Sequence, residues 1–379
     1  MPRVRDKSAI GELLEFFLRL GLSAFGGPAA HIALMEREAV EHRGWVSREQ
    51  FLDLVGACNL LPGPGSTQVA MALGYARGGW IGLIVAGVGF ILPASLATLG
   101  LAWAYVRFGH LPQAQGLLYG TKPVMVAIVA QAIWRLGRMA LRGWGPALLA
   151  TGCFAAAFAG ILPIAILLAA GGLMLSVSLL RSRPRELKIF AWLPASAGSA
   201  VTATAPGLAA LALTFLKVGV VVFGSGYVLL AFLKTDLVDR LHWITEPQLI
   251  DAVTAGQVTP GPVFATATFI GYLLCGWAGA AVATMAIFFP SFLMAGAVGA
   301  LAGRIRASHL AAAFLDGVNA AAVALMANVG FELGRATLID GWTWAIGLIS
   351  VTLLVRFRIN ATWLIFAGAA LGLLLHGLH

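Results

Sequence analysis

Asn59-Leu60-Leu61-Pro62-Gly63-Pro64-Gly65-Ser66-Thr67-Gln68 returns 198 positions later as Gln257-Val258-Thr259-Pro260-Gly261-Pro262, and both copies interrupt long apolar stretches. Proline lacks the N–H a helix needs and clashes with the carbonyl four residues back, so neither stretch can be one straight helix. At membrane depth, freed backbone groups are tolerated only inside protein or beside a water-filled cavity. Restarting the helix at Gly65-Ser66-Thr67 aims bare N–H groups and a partial positive charge into that space, which makes an anion site. Either break alone also reads as a kink that shapes packing. Two breaks at matching positions of two halves point to a transport site.

The repeat extends outward from these breaks. Residues 17–64 align with 215–262 without a gap, and fifteen of those 48 positions are identical, among them Phe17, Gly21, Phe25, Trp45, Gln50 and Asp53. Further on, Gly74-Tyr75 meets Gly271-Tyr272, Gly79-Trp80 meets Gly276-Trp277, and Pro93 meets Pro290. Shared apolar composition aligns Leu with Leu, but not Trp, Gln, Asp and Pro-Gly-Pro, so the chain is a duplication. We expect a first repeat over 1–188, a small-residue linker over 189–207 and a second repeat over 208–379. Each repeat has about six apolar segments: 11–34, 50–75, 78–106, 117–134, 144–160 and 161–180, then 208–232, 249–274, 276–302, 309–331, 341–355 and 360–378.

Of 379 residues, 60% are hydrophobic and 11% charged. A typical soluble domain has roughly 25% charged residues, so this chain could not cover a soluble surface. Apolar blocks such as 80–106, 144–180 and 208–233 are long enough to cross a bilayer. The expected fold is an all-α polytopic membrane protein of two homologous six-segment halves with broken helices. The net charge of +9 comes from short-loop Lys and Arg, a membrane-topology signature, so no nucleic-acid partner is expected. Cys58, Cys153 and Cys275 lie far apart in apolar segments, which predicts neither disulfide nor thiolate metal site. No cleavable leader is read at the start, which looks like a cytoplasmic tail.

Basic loops follow segments four and six of the first half (135–142, 181–188), but segments three and five of the second (Arg304/Arg306, Arg356/Arg358). If such loops are cytoplasmic, the halves are inverted relative to one another. Inversion needs an odd number of crossings between matching points, supplied by 189–207 as a weak thirteenth segment or by one re-entrant segment per half.

Arg19 and Lys217 place a cation at the same point of an apolar segment in each half, a costly position that is functional by default. Snorkelling to a nearby interface is the plainer alternative. The glycines after each, Gly26 and Gly27, then Gly224 and Gly226 beside Tyr227, would unwind that segment. Asp53 and Asp251 precede the breaks; Glu38 and Asp236 match in the connectors. Such carboxylates can exchange protons when desolvated, although Asp also suits a helix N-cap at the start of segment two. His31, facing Leu229 in the second copy, can titrate or simply pack. GxSxG, HExxH, Walker A and a βαβ GxGxxG are all missing, so no enzyme, cofactor or metal is expected, and any pumping must borrow an ion gradient.

This pattern resembles the chromate ion transporter family of bacterial inner-membrane proteins, in its long-chain, two-half form. The resemblance is carried in the first half by Phe17, Gly21, Phe25, Gly26, Gly27, Pro28, His31, Glu38, Pro62, Gly63, Pro64 and Gln68. In the second it rests on Phe215, Gly219, Phe223, Gly224, Gly226, Tyr227, Asp236, Gln257, Pro260, Gly261 and Pro262. It implies a multi-pass inner-membrane protein exporting chromate on the membrane potential or a proton gradient, conferring resistance, with sulfate as competitor. On that reading a tetrahedral dianion enters a midplane cavity. The helix starts after Pro64 and Pro262, the hydroxyls of Ser66 and Thr67 and the amides of Asn59, Gln68 and Gln257 hold it. Arg19 and Lys217 compensate its charge, and rocking one half against the other gives alternating access. The second half departs from the pattern with Gly224-Ser225-Gly226 and no Ser-Thr-Gln after its break, so the half-sites are not equivalent. A sulfate-type transporter and a non-transporting membrane scaffold are the alternatives. Gly-rich faces such as Gly82, Gly87 and Gly89 suit a homodimer or internal packing equally.

Overall fold

The computed structural model describes residues 7–25, 27–59, 61–109, 111–141, 143–181, 206–222, 228–301, 309–357 and 359–376. Gly26, Gly224, Gly226 and Tyr227, and nearly all of the 189–207 linker, lie outside the described residues. The first half comprises α1 (Lys7–Ser23), α2 (Pro28–Glu36), α3 (Arg48–Asn59), α4 (Gly65–Phe108), α5 (Pro112–Ala140), α6 (Trp144–Phe158) and α7 (Pro163–Arg181). The second comprises α8 (Leu208–Val221), α9 (Val228–Leu233), α10 (Glu246–Val258), α11 (Thr266–Leu301), α12 (His309–Thr337), α13 (Gly341–Arg356) and α14 (Ala361–His376). Matching π-helical turns at Arg37–His42 and Lys234–Arg240 follow α2 and α9. No strand occurs among the described residues. The six segments expected per half are thus seven helices: the first segment splits into α1 and α2, the second into α3 and the opening limb of α4.

Local chemistry sets these boundaries. Pro28 supplies the first helical position of α2 after Gly27, whose φ of 77° favours glycine. Ser47 and Gln50 exchange hydrogen bonds at the start of α3, Ser47 N–H to Gln50 Oε1 at 3.0 Å and Gln50 N–H to Ser47 Oγ at 3.2 Å. Thr245 and Gln248 repeat this capping box on α10. Asp53 and Asp251 are therefore not the caps of these helices; the hydroxyl residues six positions earlier are.

α4 is not one long span. Non-helical angles at Gly78 and Gly79 interrupt it, as Cys275 and Gly276 interrupt α11. A Cβ on Gly82 would come within 2.1 Å of the Gly74 carbonyl oxygen, whereas eight residues of straight helix put them about 12 Å apart. The chain folds back there, and Tyr75 meets Trp80 edge-on at 5.4 Å, as Tyr272 meets Trp277 at 5.3 Å. α3 and the 65–77 limb form a hairpin with the Pro-Gly-Pro turn at its tip. That tip lies about 20 Å from the reversal, near the middle of a bilayer roughly 40–45 Å thick with headgroups. The 80–108 limb then crosses fully.

The two crossing limbs run antiparallel where they touch: Trp80 lies against Gly296, and Gly87 against Phe292. α10 begins beside Tyr105, at the far end of the first crossing limb, and ends where Thr259 meets Thr98 at 3.1 Å. The second hairpin therefore enters from the face opposite the first. We call the face of the 78–79 reversal the first face. It receives the ends of α5, α7, α11 and α13, hence Arg135, Arg138, Arg181 and Arg356.

The halves interlock. α12 packs along α6 and α7 of the first half, while α5 packs along α13 and α14 of the second, with Tyr119 Oη donating to Asp340 Oδ2 at 2.7 Å and Gln131 Nε2 to the Leu354 carbonyl at 3.0 Å. α1, α4, α8 and α11 form a core; α5–α7 and α12–α14 form a frame. Each half therefore holds part of the other's frame. Five helices among the described residues are long and apolar enough to cross a membrane, and exposed Trp80, Trp134, Trp144, Trp277, Trp342 and Trp363 stud the outer surface.

Gly82→Ala should lower the melting temperature of the purified protein in detergent, a loss of about 1–3 kcal/mol for overpacking against backbone that cannot yield. Gly100→Ala, with open space around it, should leave melting unchanged or slightly raised. Equal effects would contradict the folded-back hairpin.

Candidate functional site: two crossed Pro-Gly-Pro turns

Each turn is tied to the other half by a matching backbone bond. The N–H of Gly63 donates to the Val222 carbonyl at 2.5 Å, and that of Gly261 donates to the Ala24 carbonyl at 3.0 Å. Ala24 and Val222 are themselves equivalents, just past the ends of α1 and α8. Both glycines sit at positive φ, 115° and 95°, and a Cβ there would strike Gln68 Nε2 at 2.7 Å or Ala94 Cβ at 2.8 Å. These two N–H groups are consumed by carbonyls, so Gly63 and Gly261, expected among the anion-binding residues, do not offer their N–H to an anion.

What remains open is narrower. The Pro64 carbonyl accepts from the N–H of Thr67 at 2.8 Å and of Gln68 at 3.0 Å, which leaves Gly65 and Ser66, the first two helical N–H groups, without an intrahelical acceptor. Gln68 Nε2 donates to the Pro62 carbonyl at 2.5 Å. Gln68 Oε1, Thr67 Oγ1, Ser291 Oγ, Ser95 Oγ and Gln257 Nε2 are buried and have no partner among the described residues. Ser291 lies against Gly63, and Ser95 follows Ala94, which lies against Gly261. An unpaired buried polar group costs about 1–3 kcal/mol, so each of these atoms at the crossed turns calls for a partner.

His31 links the two turns. Its Nε2 lies 3.1 Å from the Ala24 carbonyl, which also accepts from Gly261, and its Nδ1 lies 3.2 Å from Ser66 Oγ. A carbonyl only accepts, so Nε2 carries the proton and Nδ1 accepts from Ser66 in the neutral ring. Ser66 is thus occupied rather than free for an anion. Asn59 is exposed, with Oδ1 near Gly65. Ser95 and Ser291 escaped the sequence reading because neither has a serine in the other copy.

The charged pairs diverge. Lys217 is not a free cation: its Nζ donates to Asp236 Oδ2 at 2.8 Å and Oδ1 at 3.0 Å, and Arg240 approaches Asp236 at 3.5 Å. Arg19 is exposed and has no ion pair among the described residues, since Glu38 turns to Arg43 at 3.1 Å and His42 at 3.0 Å. Arg43 thereby holds the Glu38 carboxyl below the usual range. Asp53 is exposed, but Asp251 is buried, accepting from Tyr105 at 3.1 Å with Lys122 at 3.6 Å. No group of three metal-ligating side chains occurs among the described residues.

The sequence profile of the chromate transporter family matches residues 11–175 and again 209–373. The chain is 34% identical over 371 residues to a chromate transport protein of Cupriavidus metallidurans, covering 95% of this chain and 91% of that one. It is 32% identical over 358 residues to a probable chromate transport protein of Synechococcus elongatus, covering 92% and 90%. To a chromate transport protein of Pseudomonas aeruginosa it is 31% identical over 340 residues, covering 86% and 81%. No solved structure matches. With both halves matched and relatives aligned nearly end to end, the chain belongs to the chromate transporter family, membrane transporters rather than enzymes.

Proposed function

We propose that the protein exports a tetrahedral oxyanion, chromate, across the bacterial inner membrane, conferring resistance, and that the anion passes through the polar layer between the crossed Pro-Gly-Pro turns. The observation that carries this reading is the cluster of unpartnered buried groups at Thr67, Gln68, Ser95, Gln257 and Ser291, where two hairpins from opposite faces meet. Backbone N–H, hydroxyl and amide donors suit a dianion without covalent chemistry. The antiparallel crossing limbs support an inverted-topology repeat, with 1–188 and 208–379 as its units. Arg135, Arg138, Arg181 and Arg356 gather on the first face, which supports a cytoplasmic first face and amino terminus. Expelling a dianion from a negative interior is then downhill by about 2.3 kcal/mol per charge per 100 mV. Access alternates by movement of the core against the frame.

Sulfate shares shape and charge with chromate and is the competing substrate. His31 is the proton-coupling group in this reading. Protonation converts Nδ1 into a donor to Ser66 Oγ, which frees the Ser66 proton to face the anion.

Energised inverted vesicles should take up labelled chromate, with unlabelled sulfate competing. Uptake no higher than in vesicles lacking the protein would defeat the reading. Thr67→Val or Gln68→Ala should weaken uptake roughly ten- to a hundredfold, the value of one hydrogen bond to a charged group. His31→Gln should keep downhill transport but remove the response of uptake to an imposed proton gradient; an unchanged response would remove His31 from coupling.

A further inference from the structure

A hollow of about 310 Å³ opens on the first face between α1 and the α2–π connector, lined by Glu15, Arg19, Arg37, Glu38, His42 and Arg43 with apolar neighbours. Glu38 is committed to Arg43 and His42. Arg19 and Arg37 have no ion pair among the described residues, so two guanidiniums face the hollow with their forks unused. Arg19 stands five residues, about 8 Å of helix rise, before Ala24, the carbonyl that holds the Gly261 turn. The hollow is therefore one step outward from the crossed turns.

The second half supplies an internal control. At the equivalent place Lys217 bonds Asp236 through both oxygens, and Asp236, Val218, Phe232 and Leu233 are buried. Thr235 replaces Arg37 and Leu213 replaces Glu15. The same fold position carries two unpaired guanidiniums beside Glu15 in one half, whereas in the other the cation is neutralised by a buried internal carboxylate.

We propose that the Arg19/Arg37 hollow is a loading site for a tetrahedral dianion, and that the Lys217–Asp236 pair is the equivalent site shut, with the Asp236 carboxylate standing where the oxyanion sits beside Arg19. Arginine forks match tetrahedral oxyanions bidentately. In the alternate state Glu38 swings to Arg19, closing the hollow, while Asp236 releases Lys217. This rests on the oxyanion-transport reading and adds its first binding step. An anionic lipid headgroup presents the same chemistry, so the test separates the two.

The purified protein in phosphatidylcholine nanodiscs is titrated calorimetrically with sulfate and with chromate, then again in nanodiscs containing phosphatidylglycerol. Arg19→Gln and Arg37→Gln should each weaken anion binding at least tenfold, with an unchanged size-exclusion profile. Unaltered binding in both variants overturns the loading site, and so does binding seen for phosphatidylglycerol alone. The alternation is read by charge exchange in transport. Arg19→Glu and Glu38→Arg should each reduce uptake below a tenth, and the double variant should recover at least a third, although the two side chains are not paired in this structure. Lys217→Asp with Asp236→Lys should behave likewise. Recovery confined to the second-half pair refutes alternation. If wild-type protein binds the anion at Arg19 but transports none, the transport reading fails while the loading site stands.

Discussion

The hydrocarbon core offers no water to an interrupted helix, so every break inside it must find its hydrogen bonds in protein or in a water-lined cavity. Here each half satisfies the other: the Gly63 N–H caps the carbonyl of Val222, and the Gly261 N–H caps that of Ala24. Much of the architecture follows. The turns must be glycine because their φ is positive and because a Cβ would strike Gln68 at the first turn and Ala94 of the opposite half at the second. The hairpins must reach equal depth from opposite faces. The halves cannot be pulled apart without baring backbone at mid-membrane, consistent with frame helices exchanged between them.

That constraint also explains why the crossed turns can be polar at all. With the Gly63 and Gly261 N–H groups met across the pseudo-symmetry, side-chain groups such as Thr67 Oγ1, Gln68 Oε1 and Ser291 Oγ are left without partners among the described residues. The copies diverge within this layer and well outside it. His31 faces Leu229, Ala94 faces Ser291, unpaired Arg19 faces paired Lys217, and exposed Asp53 faces buried Asp251. A symmetric scaffold carrying asymmetric chemistry can give the two faces different affinities for one anion.

Much of this was legible in the sequence. The matched breaks, the Gly-Trp echoes at the chain reversals and the shared Gln50 and Gln248 of the capping boxes are local signals, and local signals survive in a repeat. What stayed hidden depends on contacts between residues far apart in the chain. Lys217 looked like a twin of Arg19, and only the fold shows Asp236 reaching it. Asp53 and Asp251 matched in sequence yet differ in burial, because only Asp251 meets Tyr105 and Lys122 from the first half. The interlocked frame was likewise invisible, since apolar faces of α5 and α12 do not announce which half they will cover.

The most direct measurement is to locate a bound oxyanion by anomalous scattering from crystals soaked in selenate, a tetrahedral dianion with a heavy centre. A peak in the layer between Thr67, Gln68 and Ser291, with or without a second at Arg19, is the expected result. Selenate bound only at the outer surface, with the crossed turns packed shut in every state captured, would contradict a transport path between them.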